Sequence, residues 1–116
     1  MLRTNLNHLE TEDALKEALR VNENVMICCG RMGPMCLPVY AIMDELKNVY
    51  PHVKFFDQDF DGPAASTIKG LPECASFMGL PFTVYFKEGK PVKATSSIQT
   101  RDHVTEILDR EFGKPT

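Results

Sequence analysis

The stretch from Val25 to Leu46 constrains the fold more than any other. It runs Val-Met-Ile-Cys-Cys-Gly-Arg-Met-Gly-Pro-Met-Cys as far as Cys36, then Leu-Pro-Val-Tyr-Ala-Ile-Met-Asp-Glu-Leu. The unbroken apolar run at 25–29 predicts a strand covered on both faces. A Gly/Pro turn follows. Val39, Ile42, Met43, Leu46 and Val49 then recur at the helical period and predict a helix over 35–50. Pro34 suits the start of that helix, Pro38 still falls near its first turn, and Pro51 ends it. A helix N-terminus favours negative charge, so a thiol placed there ionises more readily, and the thiolate is the form that attacks disulfides. Thiol chemistry is therefore expected where the strand hands over to the helix, with Cys29 at the strand end and Cys36 at the helix start.

The rest of the chain reads as alternating helix and strand. Residues 4–8 are weakly strand-like and suit an edge. Thr11 is placed to cap a helix with Glu12 and Asp13 in its first turn and Leu15, Ala18 and Leu19 at helical spacing. Residues 53–57 predict a second strand, parallel to the first through a right-handed crossover. Residues 63–77 predict a helix broken by Gly70 and Pro72. Residues 82–86 and 92–96 flank Lys-Glu-Gly-Lys, a hairpin signal. Thr100 caps a last helix with Val104, Ile107, Leu108 and Phe112 as its apolar stripe. This order predicts an α/β fold in which a central mixed sheet carries helices on both faces.

A length of 116 residues suits a single domain spanning 1–116. The net charge of −3 gives no electrostatic footprint for nucleic acid. No apolar stretch approaches a membrane span, and residues 1–20 lack a secretory pattern. A soluble cytoplasmic protein without nucleic-acid or membrane partners is expected. Three of the four cysteines lie within nine residues, two of them adjacent. In a reducing compartment such a cluster points to catalysis or metal binding rather than a disulfide framework.

Three blocks, in this order and at this spacing, resemble the thioredoxin family over roughly residues 4–112. The first is the strand at 25–29 with Gly33-Pro34-Met35-Cys36 and the helix at 41–46. The second is Met78-Gly79-Leu80-Pro81-Phe82, similar to the family's cis-proline loop. The third is residues 84–92, similar to its closing hairpin. The resemblance implies a thioredoxin-like fold, a thiol–disulfide oxidoreductase acting on protein or small-molecule disulfides, a reductase as electron donor, no bound cofactor, and a monomer. It also implies that Gly33, Pro34, Leu80 and Pro81 line the substrate groove, with a cis bond before Pro81.

The family's active-site motif, commonly Trp-Cys-Gly-Pro-Cys, is altered. Cys36 falls on the resolving cysteine, Gly33 on the nucleophile and Met32 on the tryptophan. Cys29 lies seven residues before Cys36 and is expected to pair with it, which requires Cα atoms within about 7 Å. Arg31 is expected to help ionise Cys36. Cys28 and Cys29 are adjacent on a strand and so point to opposite faces; Cys28 is read as a core residue. Cys74, in a segment about five residues longer than the family's, is a candidate third redox cysteine. The family's buried aspartate and its lysine partner correspond to Ile27 and Asp57, which implies loss of the buried proton acceptor. The glycine lining the family's groove after the last strand is replaced near Ser96 and Ser97.

Two other readings stay open. A redox-inactive binding module would dock peptides beside Pro81. A metal protein would use the soft ligands Cys28, Cys29, Met32, Met35 and Cys36. Their spacing fits no standard zinc pattern and His8, His52 and His103 are scattered, so no metal is expected and the methionines are read as an apolar rim.

Overall fold

Five strands form one mixed sheet in a computed structural model that describes residues 2–115. Strands β1 (Asn7–His8), β2 (Asn24–Gly30), β3 (Lys54–Asp59), β4 (Phe82–Lys87) and β5 (Lys90–Ser96) lie in the order β1-β3-β2-β4-β5. The first three in that order run parallel; β4 is antiparallel to β2, and β5 to β4. Helices α1 (Glu12–Val21), α2 (Leu37–Leu46), α3 (Ala65–Lys69) and α4 (Arg101–Phe112) cover the two faces. The expected α/β architecture, a mixed sheet between helices, is the one found.

The helix ends follow their sequence signals. Thr11 Oγ1 accepts from the Ala14 amide at 3.0 Å, and Thr100 Oγ1 from the His103 amide at 3.1 Å. Each such cap is worth about 1 kcal/mol. Between β4 and β5, Glu88 and Gly89 have φ of 52° and 79°. Two central residues with positive φ make the turn whose twist matches that of the flanking strands.

Boundaries shift where local hydrogen bonds compete. Helix α2 starts at Leu37 rather than at residue 35, because the Gly33 carbonyl accepts from both Cys36 and Leu37 amides in a separate turn. It ends at Leu46, four residues before position 50. The segment at 63–77 is broken as its Gly and Pro predict, into α3 and a 3-10 helix at Pro72–Cys74. Only Asn7–His8 of residues 4–8 joins the sheet.

The sheet divides two cores. On one face Met26, Cys28 and Tyr85 pack with Val39, Tyr40 and Met43 of α2 and Val104 and Leu108 of α4. On the other face Val25, Ile27, Cys29 and Val84 pack with Leu15 of α1 and Ile68 of α3. β2 is buried on both faces, as its continuous apolar run predicts.

Candidate active site

Gly30, the last residue of β2, is the point on which the site converges. A Cβ placed there would lie 2.8 Å from Cys36 Sγ, 2.8 Å from the Tyr40 hydroxyl and 3.0 Å from Pro81 Cβ. Only a glycine leaves room for three elements to meet: the turn, helix α2 and the proline loop.

Cys36 occupies the N-cap position of α2 and is 2 % exposed. Its side chain makes no cap hydrogen bond; instead Sγ accepts from the Arg31 amide at 3.4 Å. The Arg31 guanidinium is held by Asp61. It donates to both Asp61 carboxylate oxygens at 2.8 Å and lies 5.3 Å from the centre of the Phe60 ring. Arg31 thus hydrogen-bonds Cys36 through its backbone N–H, while its guanidinium, paired with Asp61, acts on the sulfur only through space.

The Leu80–Pro81 peptide bond is cis. The loop is tied to the end of β5 by the Ser97 amide, which donates to the Gly79 carbonyl at 3.2 Å and the Pro81 carbonyl at 3.0 Å. Ser97, one of the two serines near which the resemblance puts a replaced groove glycine, adopts φ 69°. Leu80 is half-buried against both cores. Pro34 is exposed. A side chain at Gly33 would meet nothing within 4 Å, so the place that matches a nucleophilic cysteine is open space. Met32, Met35 and Leu37 are exposed around the turn, and Met78 before the proline loop is 97 % exposed.

The four thiols are free, and the strand parts them. Cys28 and Cys36 lie in the α2/α4 core, whereas Cys29 and Cys74 lie in the α1/α3 core. The expected pairing of Cys29 with Cys36 is therefore not what the fold brings together. Cys29 pairs in register with Phe82 and Gln58 and points away from α2. Burial pushes its thiol up to about 12, partly opposed by the Lys69 charge, with Cys74 adding to the rise. Burial raises Cys74 as well.

Cys28, read from the sequence as a plain core residue, is the tandem cysteine that shares the face of Cys36. Thr83 Oγ1 lies 3.9 Å from its Sγ on β4. Burial pushes the Cys28 thiol well up.

The buried acid is also placed differently from the expectation. Ile27 faces the α1/α3 core, away from Cys36. Asp57 is fully buried and pairs in register with Cys28. Its carboxylate accepts from Thr4 Oγ1 and from His8 Nδ1, the latter at 2.6 Å. Burial raises the Asp57 carboxyl against the lowering effect of both partners. A buried carboxyl group thus lies on the site's side of the sheet, on β3 rather than β2.

Among the described residues no group of three or more His, Cys, Asp or Glu side chains is arranged to hold a metal ion. The alternation of β2 separates two of the soft ligands, Cys28 and Cys29, and Met32 and Met35 sit in solvent. Among the same residues no helix is long and apolar enough to cross a membrane.

Tyr40 and Gly30 escaped the sequence reading. Tyr40 follows Cys36 by four residues, a spacing that places both on one helical face. Gly30 carried no signal beyond a glycine at a strand end.

No protein-family model matches the chain, and no curated protein matches it by sequence. Solved structures do. A thioredoxin from Plasmodium falciparum superposes with a TM-score of 0.75 at 16 % identity, over 91 % of this chain and 99 % of that one. Mitochondrial thioredoxin 3 of Saccharomyces cerevisiae, in its oxidised form, gives 0.73 at 19 %, over 90 % and 94 %. A mutant thioredoxin from Halobacterium salinarum gives 0.76 at 15 %, over 95 % of each. The strand order, the proline loop against the start of α2, and these superpositions agree that the chain has the thioredoxin fold.

Proposed function

We propose that this chain is a thioredoxin-like thiol–disulfide oxidoreductase that reduces protein or small-molecule disulfides in a reducing, cytoplasmic compartment. The observation that carries the reading is the approach of Cys36 Sγ and Pro81 to one point at Gly30, at the start of α2. A thiol at the start of a helix with a backbone amide donating to its sulfur has a donor in place for the charge that the attacking form carries.

The chemistry is a pair of exchanges. The Cys36 thiolate attacks one sulfur of the substrate disulfide; the S–S bond breaks, Cys36 becomes a mixed disulfide, and the other sulfur leaves as a thiolate. A second thiolate then attacks Cys36 and releases the remaining half of the substrate, leaving an intramolecular disulfide. The Cys29–Cys36 pair read from sequence gives way here to Cys28–Cys36, because Cys28 packs on the face of Cys36. A reductase supplies the two electrons that restore both thiols. Gly33, Pro34, Leu80 and Pro81 border the groove in which an extended substrate lies.

The test is insulin or dithio-reagent reduction by wild type and by Cys36→Ser. Activity lost in Cys36→Ser supports the reading; full activity in that variant overturns it. The near-complete burial of Cys36 and the absence of a thiol at Gly33 favour a second reading, a redox-inactive module that docks peptides beside Pro81. An inactive wild type that binds extended peptides would establish it.

A further inference from the structure

Two polar atoms approach the virtual Cβ of Gly30 equally closely, and only one of them belongs to the thiol. The other is the Tyr40 hydroxyl. Tyr40 lies one turn into α2, its amide donating to the Cys36 carbonyl at 3.1 Å, so the two side chains share a helical face. The residue is 3 % exposed, and its hydroxyl has no hydrogen-bond partner among the described residues. Buried hydroxyls without partners are rare in folded proteins and call for an explanation.

We infer that Tyr40 stabilises the reacting form of Cys36, its phenol O–H donating to the sulfur once that sulfur carries charge. This rests on Cys36 being the reacting thiol. A neutral thiol is a weak acceptor; a thiolate is a strong one. With the Arg31 amide already on Sγ, the phenol is a second donor group that meets the sulfur's surroundings at Gly30. The charged and titratable groups facing this spot do not compete for that role. Cys28 and Cys29 of β2 and Asp57 of β3 are acids, and the Arg31 guanidinium, bound by Asp61, reaches the sulfur through space without donating to it. Burial holds the phenol far above its ordinary value, so it keeps its proton at neutral pH. During attack the phenol keeps its proton. Its hydrogen bond weakens as the charge moves from Cys36 to the departing sulfur.

The experiment compares wild type with Tyr40→Phe, which keeps the ring and removes only the oxygen. Cys36 alkylation by iodoacetamide is followed against pH by peptide mapping; cleavage after Arg31 separates Cys36 from Cys28 and Cys29. The midpoint is expected to rise by about one pH unit, with alkylation at neutral pH about tenfold slower and an unchanged melting temperature. Superimposable pH profiles would overturn the role of Tyr40 while leaving Cys36 as the reacting thiol. A Tyr40→Phe protein that does not fold would overturn it too, by making the hydroxyl structural. A wild type whose Cys36 resists alkylation at every pH would remove the reacting-thiol reading, and this inference with it.

Discussion

The two faces of the sheet carry the same number of cysteines and offer them different chemistry. Cys28 and Cys36 lie toward α2 and α4, in company with Tyr40, Thr83 and Asp57, which are all polar groups inside a core. Cys29 and Cys74 lie toward α1 and α3, where Phe60, Phe77 and Phe82 stack edge to face. One residue step along β2 separates the two environments. A cysteine on the first face adjoins an amide-bonded sulfur at a helix start. A cysteine on the second is a small apolar side chain beside aromatic rings. Proximity in sequence to the turn is therefore a poor guide to which cysteine shares the surroundings of Cys36; strand parity decides it.

The largest effect expected from this contrast is on activity. Cys36→Ser should reduce disulfide reduction to the level of the uncatalysed control, whereas Cys29→Ser should retain most of it, as read by insulin or dithio-reagent turnover. Equal losses in both variants would mean that the two faces are not chemically distinct.

Gly30→Ala is next. The added methyl would lie within about 3 Å of Cys36 Sγ, the Tyr40 hydroxyl and Pro81 Cβ. The proline is buried and cannot swing away. Overpacking of this kind costs about 1–3 kcal/mol. Urea denaturation should show that loss, and the alkylation rate of Cys36 should change with it. A fully stable, unaltered variant would show that the convergence at Gly30 is looser than described. Gly33→Ala, three residues on, meets open space and should leave stability within about 0.5 kcal/mol of wild type.

A smaller effect concerns Asp57. Its carboxyl is raised from 3.8 by burial, so the folded state holds that proton longer than the unfolded chain does. The stability this contributes is complete below the unfolded value, near 4, and is lost as pH rises through the raised folded value. Wild type should therefore lose stability relative to Asp57→Asn as pH rises from 4 into that range, measured by urea denaturation at each pH. Parallel curves would mean that Thr4 and His8 offset the burial completely.

The smallest effect is at Ser97, held at φ 69° beside the proline loop. Ser97→Gly relieves a conformation that costs a side chain about 1 kcal/mol. A rise in melting temperature of a few degrees is expected; a fall would mean that the serine side chain gives more than its backbone costs.

What could be read in the sequence follows the physics of each signal. Thr11 and Thr100 act within three residues of themselves, so their caps are local and legible. The break at Gly70 and Pro72 is similarly local. Pro81 was legible through resemblance, as part of a block with Gly79 and Leu80. The phase of β2 was not. An amphipathic strand shows its core face by alternation, but Val25 to Cys29 is apolar at every position, so nothing in it says which cysteine looks toward α2. That phase comes from the register with β3 and β4, which pairs Cys28 with Asp57 and Thr83. Asp57 was hidden for a related reason: its partners Thr4 and His8 arrive from about fifty residues away. Tyr40 falls one helical turn after Cys36, but nothing in the sequence says that its hydroxyl is buried without a partner beside Gly30.

The central claim is that Cys36 is served by the face of β2 that carries Cys28, and one measurement addresses it directly. Cys28→Ala and Cys29→Ala are each oxidised with a small-molecule disulfide, and the cross-link to the peptide containing Cys36 is mapped by mass spectrometry. The account predicts that the cross-link persists in Cys29→Ala and is lost in Cys28→Ala. A cross-link that survives in Cys28→Ala and disappears in Cys29→Ala would contradict it.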